Sequence, residues 1–94
     1  MKLSIVNNWV SPVTISFRYK RNEGDHTCGK KACIIAPGDS FDTDYIDREF
    51  TISRTAQGAI RTTVIEAQLP RGQYHVGAFG LWTKDNRTFY GAWV

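Results

Sequence analysis

Two cysteines, Cys28 and Cys33, lie close together in a polar part of the chain. Four residues separate them, and Gly29 favours a turn there, so the two thiols can close a small disulfide loop. Zinc is the competing chemistry, with His26 and His75 as further ligands, but structural zinc sites usually add a second Cys-x₂₋₄-Cys pair. We therefore expect a disulfide rather than free thiols, and no metal. Because disulfides persist in oxidising compartments, this pair predicts a secreted protein.

Histidine is the side chain that titrates nearest neutrality, and the chain has two, His26 and His75. Paired with Glu66 or Arg61, His75 could move protons in a small nuclease. The sequence shows no nucleophile elbow, phosphate-binding loop or set of three metal ligands beside these histidines. We therefore predict a protein that is not an enzyme and needs no cofactor, and we keep a nuclease built on His75 as an alternative.

Five acidic residues cluster between positions 39 and 49. Carboxylates are the ligands that Ca²⁺ prefers, and a loop at the end of a β-sheet can gather several of them. The cluster lacks the Asp-x-Asp-x-Asp-Gly order of an EF-hand, so we expect a solvated acidic loop, with calcium binding as the open alternative. The five residues are Asp39, Asp42, Asp44, Asp47 and Glu49.

Aromatic and basic residues offer a binding surface. Rings supply rigid apolar area at low entropy cost, and nearby cations steer an anionic partner toward it. We predict that the rings of Trp9, Trp82 and Tyr90 form this surface together with five basic residues. The basic residues are Arg18, Lys20, Arg21, Lys30 and Lys31. A protein is the expected partner, and an anionic membrane or a glycan is the alternative.

β-strands must position these residues. The clearest strand runs from Val13 to Lys20, where apolar and polar residues alternate without a break. Because side chains of a strand point alternately to opposite faces, every second residue of this stretch is expected to be buried. The inward set is Val13, Ile15, Phe17 and Tyr19.

Turn signals divide the rest of the chain into further short strands. Pro37-Gly38 predicts a type II turn with Gly38 at positive φ. The stretch from Ile60 to Leu69 predicts a longer strand with blurred alternation, and the stretch from Gln73 to Trp82 predicts another. No segment has the 3.6-residue periodicity of a capped helix.

The sequence therefore predicts an all-β, single-domain antiparallel β-sandwich over residues 1–94, with seven or eight short strands. An immunoglobulin-like arrangement is the first expectation, and a jelly-roll-like arrangement or a small barrel is the second. The predicted core residues are Leu3, Ile5, Val13, Ile15, Phe17, Phe50, Ile52, Val64 and Val76.

Composition fits a small globular domain. Hydrophobic residues make up 41% and charged residues 22% of the chain, which argues against a disordered protein. The net charge is only +3, and basic and acidic residues gather in different stretches, so nucleic acid is not the expected partner. The first eight residues hold no long apolar run, which predicts no signal peptide. Together these features predict a small secreted recognition domain, of toxin or effector type, that binds a partner without catalysis.

Overall fold

A computed structural model of the chain describes residues 3–17, 32–43, 46, 50–56, 59–65 and 69–93. These residues form nine β-strands. The strands are β1 (Leu3–Asn7), β2 (Val13–Phe17), β3 (Ala32–Ile35), β4 (Ser40–Thr43), β5 (Phe50–Ala56), β6 (Ala59–Ile65), β7 (Gly72–Val76), β8 (Gly80–Thr83) and β9 (Phe89–Ala92). Within the described ranges, no helix has the length and apolar character needed to cross a membrane.

The strands form two packed sheets, which confirms the predicted β-sandwich. One sheet has five strands in the order β4-β1-β7-β8-β9, and the other has four in the order β3-β2-β5-β6. One pair departs from the antiparallel prediction, because β1 and β7 run parallel with Asn7 opposite Val76. The strand order also differs from the A-B-E-D and C-F-G sheets of an immunoglobulin constant domain.

The described chain has nine strands where seven or eight were expected, because the stretch from Gln73 to Trp82 is a hairpin and not one strand. The Gly77 backbone N–H donates to the Gly80 carbonyl at 3.0 Å, and β7 and β8 pair on either side of this turn. Gly80 has a φ of 140°, and a Cβ there would lie 1.9 Å from the Gly91 carbonyl oxygen. Only glycine therefore fits at the start of β8.

One other turn and one strand also bear on the sequence predictions. The type II turn is confirmed, since Gly38 has a φ of 86° and the Asp39 backbone N–H donates to the Ala36 carbonyl at 3.0 Å. β6 spans Ala59–Ile65, and residues 66–68 of the strand predicted to reach Leu69 lie outside the described residues. Leu69 forms an isolated antiparallel bridge with Ile46.

The alternating residues form the core as predicted. Among the predicted core residues, no described side chain is more than 4% exposed, and the side chain of Val64 lies outside the described part. The Phe17 ring joins the two sheets, because its centroid lies 5.9 Å from that of Phe41 in β4 and 5.9 Å from that of Phe50 in β5. Each fully buried side chain of this kind stabilises the fold by about 1.5–3 kcal/mol.

Strand pairing gives the sandwich two distinct ends. β1, β3, β5, β7 and β9 all finish at one end, which we call the apical end; its described residues beyond the strands are 8–12, 36–39, 77–79 and 93. The opposite, basal end carries residues 69–71 and 84–88.

Candidate functional site

An arginine lies between two tryptophans at the apical end. The Arg54 Cζ atom is 4.2 Å from the ring centroid of Trp9 and 5.0 Å from that of Trp93. Arg54 continues the inward alternation of Phe50 and Ile52 in β5, which brings its guanidinium to the open end of the core. Each ring attracts the cation by about 0.5–2 kcal/mol at such distances. We call Trp9, Arg54 and Trp93 the apical stack.

Hydrogen bonds fix both tryptophans of the apical stack. The backbone N–H of Trp9 donates to Asn7 Oδ1 at 2.7 Å, and Trp93 Nε1 donates to the Gly77 carbonyl at 2.8 Å. The Trp93 backbone N–H also donates to the Phe79 carbonyl at 3.4 Å. Because Trp9 follows β1 and Gly77 follows β7, the parallel pairing of these two strands brings the loops together.

Two large apolar side chains are exposed beside the apical stack. Val10 and Phe79 are 79% and 75% exposed, and they lie three residues beyond the paired positions Asn7 and Val76. Val10 follows Trp9 in the chain, and the Phe79 carbonyl accepts from the Trp93 backbone N–H, so each lies beside a half-buried indole of the stack. Single exposed apolar residues are common on protein surfaces, whereas exposed apolar residues gathered around one aromatic cluster indicate an interaction surface. We call Val10, Phe79 and the apical stack the apical patch.

Polar residues border the apical patch. Asn8 and Asp39 are exposed and Ser11 is half-buried. Asp39 lies next to β1, because its carbonyl accepts a hydrogen bond from the Asn7 backbone N–H at 2.9 Å. An apolar, aromatic centre with a polar rim is the usual anatomy of a protein–protein interface.

A cleft of about 610 Å³ opens at the basal end, where β7 begins and β8 ends. We call it the tyrosine cleft. Its lining includes Arg71, Gln73, Tyr74, Thr83, Lys84, Asp85 and Tyr90. A second hollow of about 260 Å³ runs along β1 and shares Gln73, Tyr74 and Lys84 with the first. The two hollows thus form an elongated depression that runs from the basal end along β1 to Asn8.

Two tyrosines form the apolar wall of the tyrosine cleft. The rings of Tyr74 and Tyr90 meet edge to face with centroids 5.6 Å apart, and the Tyr74 hydroxyl donates to the Pro70 carbonyl. Burial of Tyr74, followed by the charge and the hydroxyl of Tyr90, raises the pKa of Tyr74 to about 12. Tyr74 is therefore neutral at physiological pH, and the half-buried Tyr90 is the ring that a ligand can reach.

Cations border the same cleft. Arg71 and Lys84 are both exposed. The carboxylate of Asp85 accepts from the Thr83 hydroxyl at 2.6 Å and from the Arg87 backbone N–H at 3.1 Å, and the Arg87 side chain lies 3.8 Å away. These interactions, the Thr83 hydroxyl first, hold the pKa of Asp85 below its usual value. The Arg87 side chain therefore offsets the charge of this carboxylate.

The outer face of the five-stranded sheet carries a third group of rings. His75 lies opposite Trp82, and the Trp82 and Phe89 ring centroids are 4.5 Å apart. His75 Nε2 is 2.5 Å from Asn86 Oδ1, while Nδ1 is buried with no hydrogen-bond partner among the described residues. His75 therefore ties the β8–β9 loop to the sheet.

The predicted aromatic surface residues lie in three separate contacts. Trp9 belongs to the apical stack, Trp82 packs against Phe89 on the outer face, and Tyr90 packs against Tyr74 in the tyrosine cleft. The basic residues that complete the predicted surface lie outside the described residues. They are Arg18, Lys20, Arg21, Lys30 and Lys31. The combined surface therefore stays a prediction.

The cysteine prediction also reaches beyond the described residues. Cys33 is 7% exposed in β3, where it lies opposite Ile15 of β2. Cys28 is outside the described ranges, so the disulfide stays a prediction.

The predicted nuclease residues are divided between the two sheets. Arg61 is in β6 of the four-stranded sheet, while His75 faces outward from the five-stranded one. Glu66 and His26 lie outside the described residues.

The acidic cluster is described only in part. Asp39 is exposed, and Asp42 accepts from the Ser40 hydroxyl at 2.8 Å. Asp44, Asp47 and Glu49 lie outside the described residues. In the part of the chain that the structure describes, no three His, Cys, Asp or Glu side chains are placed to hold a metal ion.

Sequence reasoning missed Arg54, Val10, Phe79 and Trp93 as surface candidates. One signal was available, because Arg54 is a charged residue at an inward-facing position of a strand. A charged side chain at such a position is expected near the end of the strand, where the core opens to solvent. A second was the pair Gly77 and Gly80, which flank Phe79 and mark a turn that exposes it.

No known protein family, curated protein or solved structure matches this chain. Function must therefore be inferred from the geometry and chemistry of these surfaces.

Proposed function

We propose that this chain is a small non-catalytic recognition domain that binds a partner protein through the apical patch. The observation that carries the proposal is the exposure of Val10 and Phe79, at 79% and 75%, beside a stacked Trp-Arg-Trp cluster. Tryptophan and arginine are the residues most often found at binding hot spots, because they bury much area with few degrees of freedom. In the proposed complex, the partner covers Val10 and Phe79 together with the exposed part of the stack beside them.

Charge at the apical end favours a protein over an anionic membrane. Arg54 is the cation of the patch, and the exposed carboxylate of Asp39 lies at the same end. Binding to anionic lipids relies on clusters of lysine and arginine, each contributing about 1 kcal/mol near the surface. The described apical residues carry no such cluster. An apolar centre with a polar rim instead suits a folded partner.

The proposal includes a location outside the cytosol, which depends on the predicted bond between Cys28 and Cys33. Together with the lack of a sequence motif for catalysis, this favours an effector or toxin type of domain that acts by binding. The alternative of a nuclease is tested by incubating the purified chain with RNA, where cleavage that is lost in a His75→Ala variant would contradict the proposal.

The experiment compares variants of matched exposed apolar residues. The immobilised chain is used to capture binders from extracts and medium of the source organism, and a captured protein is produced and titrated pairwise by calorimetry. The double variant V10D/F79D should weaken this pairwise binding by more than about tenfold. Ile34→Asp alters an equally exposed apolar residue, 78% exposed on β3, and should leave it unchanged.

Two outcomes would overturn the proposal. One is pairwise binding that Ile34→Asp weakens as much as V10D/F79D. The other is sedimentation of the chain with phosphatidylcholine–phosphatidylserine vesicles that is lost in V10D/F79D, because the apical patch would then be a membrane-binding surface.

A further inference from the structure

We propose that the apical end recognises a carboxylate, namely an acidic side chain of the partner protein, through two arginines: Arg54 of the apical patch and Arg61 beside it. This inference rests on the proposed function, because it names the chemistry of the partner that the patch binds. Its supports are the pairing of the two arginines across neighbouring strands, the two indoles that flank the Arg54 guanidinium, and the charge of the described apical residues.

Arg54 and Arg61 lie directly opposite each other in the β5–β6 hairpin. Opposite residues of an antiparallel pair project from the same face of the sheet, with Cβ atoms about 4.5–5.5 Å apart. The next inward pair toward the basal end, Ile52 and Thr63, is buried, whereas Arg61 is exposed. The hairpin therefore carries two cations side by side where the inner face opens to solvent at the apical end.

The two arginines of the hairpin lack a neutralising partner in the described part of the chain. The side chains that form an ion pair there are Arg87 and Asp85, at the basal end. Like charges directly opposite each other destabilise a pair of strands, and an anion bound between them offsets that repulsion. The free chain thus holds an unfavourable charge arrangement that an acidic ligand relieves.

The indoles prepare the Arg54 guanidinium for a ligand that approaches from its outer end. The ring centroids of Trp9 and Trp93 lie 4.2 and 5.0 Å from its Cζ atom. Its Nε is buried without a hydrogen-bond partner, whereas its two Nη atoms are not buried and form no hydrogen bond with a described residue, so they face solvent. An arginine presented in this way binds a carboxylate through two parallel N–H···O bonds.

Charge favours a carboxylate over a phosphate or a nucleic acid. The described apical residues add the exposed carboxylate of Asp39 to the two arginines, which leaves an excess of one positive charge. A carboxylate carries one negative charge, whereas a phosphorylated side chain carries about 1.5–2 at neutral pH. Nucleic-acid binding relies on a basic patch or stripe, and two arginines do not form one. Val10 and Phe79 are then left to contact apolar groups around the acidic side chain.

The test uses a displayed library of disulfide-closed random peptides, selected on the immobilised whole chain. Enriched peptides should carry an Asp or a Glu at a constant position among apolar residues. One enriched peptide is synthesised and titrated into each variant by calorimetry. Arg54→Gln and Arg61→Gln should each weaken its binding by about tenfold or more. Lys84→Ala removes an exposed cation at the basal end and should change the affinity less than about twofold.

A second comparison assigns the acidic side chain of the peptide to the arginines. Replacing that Asp or Glu by its amide should weaken binding to wild type by about tenfold but should have little further effect on Arg54→Gln, because both changes remove the same interaction. Circular dichroism and urea unfolding check that each variant is folded. Arg61→Gln, at an exposed position, takes the place of Arg54→Gln where the latter is unfolded.

Three results would overturn the inference. The first is a selection that yields no binder, or binders without a constant acidic residue. The second is an amide substitution in the peptide that weakens binding to Arg54→Gln as much as binding to wild type. The third is a single-stranded RNA oligonucleotide that binds more tightly than the peptide with the same dependence on Arg54 and Arg61, which would make this a nucleic-acid site.

Failure of this inference is distinguishable from failure of the proposed function. Partner binding that V10D/F79D weakens, but that Arg54→Gln and Arg61→Gln leave unchanged, contradicts the carboxylate site alone. Peptide binding that depends on both arginines, together with partner binding that V10D/F79D leaves unchanged, contradicts the apical patch as the partner surface and leaves the carboxylate site.

Discussion

Asn7 is a buried polar residue on which the apical loops depend. It is 1% exposed, and its Nδ2 donates to the Ser11 carbonyl at 3.0 Å and the Ile35 carbonyl at 2.9 Å. Its Oδ1 accepts from the Trp9 backbone N–H. One side chain thus satisfies three backbone groups, two in the loop of residues 8–12 and one at the end of β3, and it fixes the loop that carries Trp9 and Val10.

Asn7→Ala is expected to lower the free energy of unfolding by about 1–3 kcal/mol, because buried backbone groups lose their partners. Urea unfolding followed by circular dichroism measures the change. Asn8→Ala is the matched control, since Asn8 is exposed, and it should change stability by less than about 0.5 kcal/mol. Equal effects of the two substitutions would contradict this role for Asn7.

Tyr74 makes the free energy of unfolding depend on pH in the alkaline range. In the unfolded chain a tyrosine ionises near pH 10, whereas burial first, and Tyr90 next, raise the pKa of Tyr74 to about 12 in the folded state. Between these values the unfolded state binds fewer protons than the folded state. The free energy of unfolding therefore falls as pH rises from about 10 to 12.

Tyr74→Phe should remove this part of the pH dependence, which urea unfolding at a series of alkaline pH values measures as a difference from wild type. Tyr90→Phe should keep most of it, because burial is the largest cause of the raised pKa. A slope between pH 10 and 12 that is unchanged in Tyr74→Phe would show that the prediction is wrong.

At the scale of elements, the β7–β8 hairpin and its neighbour β9 depend on one glycine. Gly80 has a φ of 140°, and its Cα approaches β9 so closely that a Cβ would overlap the Gly91 carbonyl. This approach lets β9 pair with β8, with Gly80 opposite Ala92, so that Trp93 follows at the apical stack.

Gly80→Ala is expected to lower stability by roughly 2 kcal/mol or more, because the backbone conformation is strained for alanine and β9 must shift. Gly77→Ala is the control in the same turn, since a Cβ there would lie 3.9 Å from His75 Nδ1, an ordinary contact. Thermal unfolding of both variants tests the difference. A tolerated Gly80→Ala, with the tryptophan fluorescence of wild type, would contradict the close approach.

The predicted disulfide would anchor the start of β3. Cys33 is buried opposite Ile15, and closure of a loop to Cys28 should stabilise the fold by on the order of 2 kcal/mol. Thiol titration of the unreduced, unfolded chain should find no free thiol. A titration that finds two free thiols would show that the bond is absent, and the prediction of secretion would then lose its basis.

At the scale of the whole molecule, partner binding at the apical patch should not depend on the basal end. The chain spans 35 × 27 × 24 Å, and the apical patch and Lys84 lie at opposite ends of the sandwich. Substitutions more than about 7–10 Å apart without shared partners have additive effects. Lys84→Ala should therefore leave partner affinity unchanged. Calorimetry of the captured partner with this variant measures the affinity, and a change would indicate coupling between the ends.

The sequence by itself determined most of the local structure. Strict alternation identified β2, and the predicted core residues Leu3, Ile5, Phe50 and Ile52 identified the buried faces of β1 and β5, because the two-residue period of a strand assigns every side chain to a face. Pro37-Gly38 identified its turn, because only glycine readily takes the φ that the third position requires. Where local signals conflicted, as at Gly77 and Gly80, alternation alone could not distinguish one strand from a hairpin.

Only the tertiary structure decided which strands are neighbours, and with that the candidate sites. Trp9 and Trp93 lie near the two ends of the sequence, and they meet at Arg54 because β1 pairs in parallel with β7. The tyrosine cleft likewise requires β7, β8 and β9 side by side. A strand's own residues specify which face is buried, but its choice of partner depends on how all the buried faces pack together, and no single stretch of sequence contains that information.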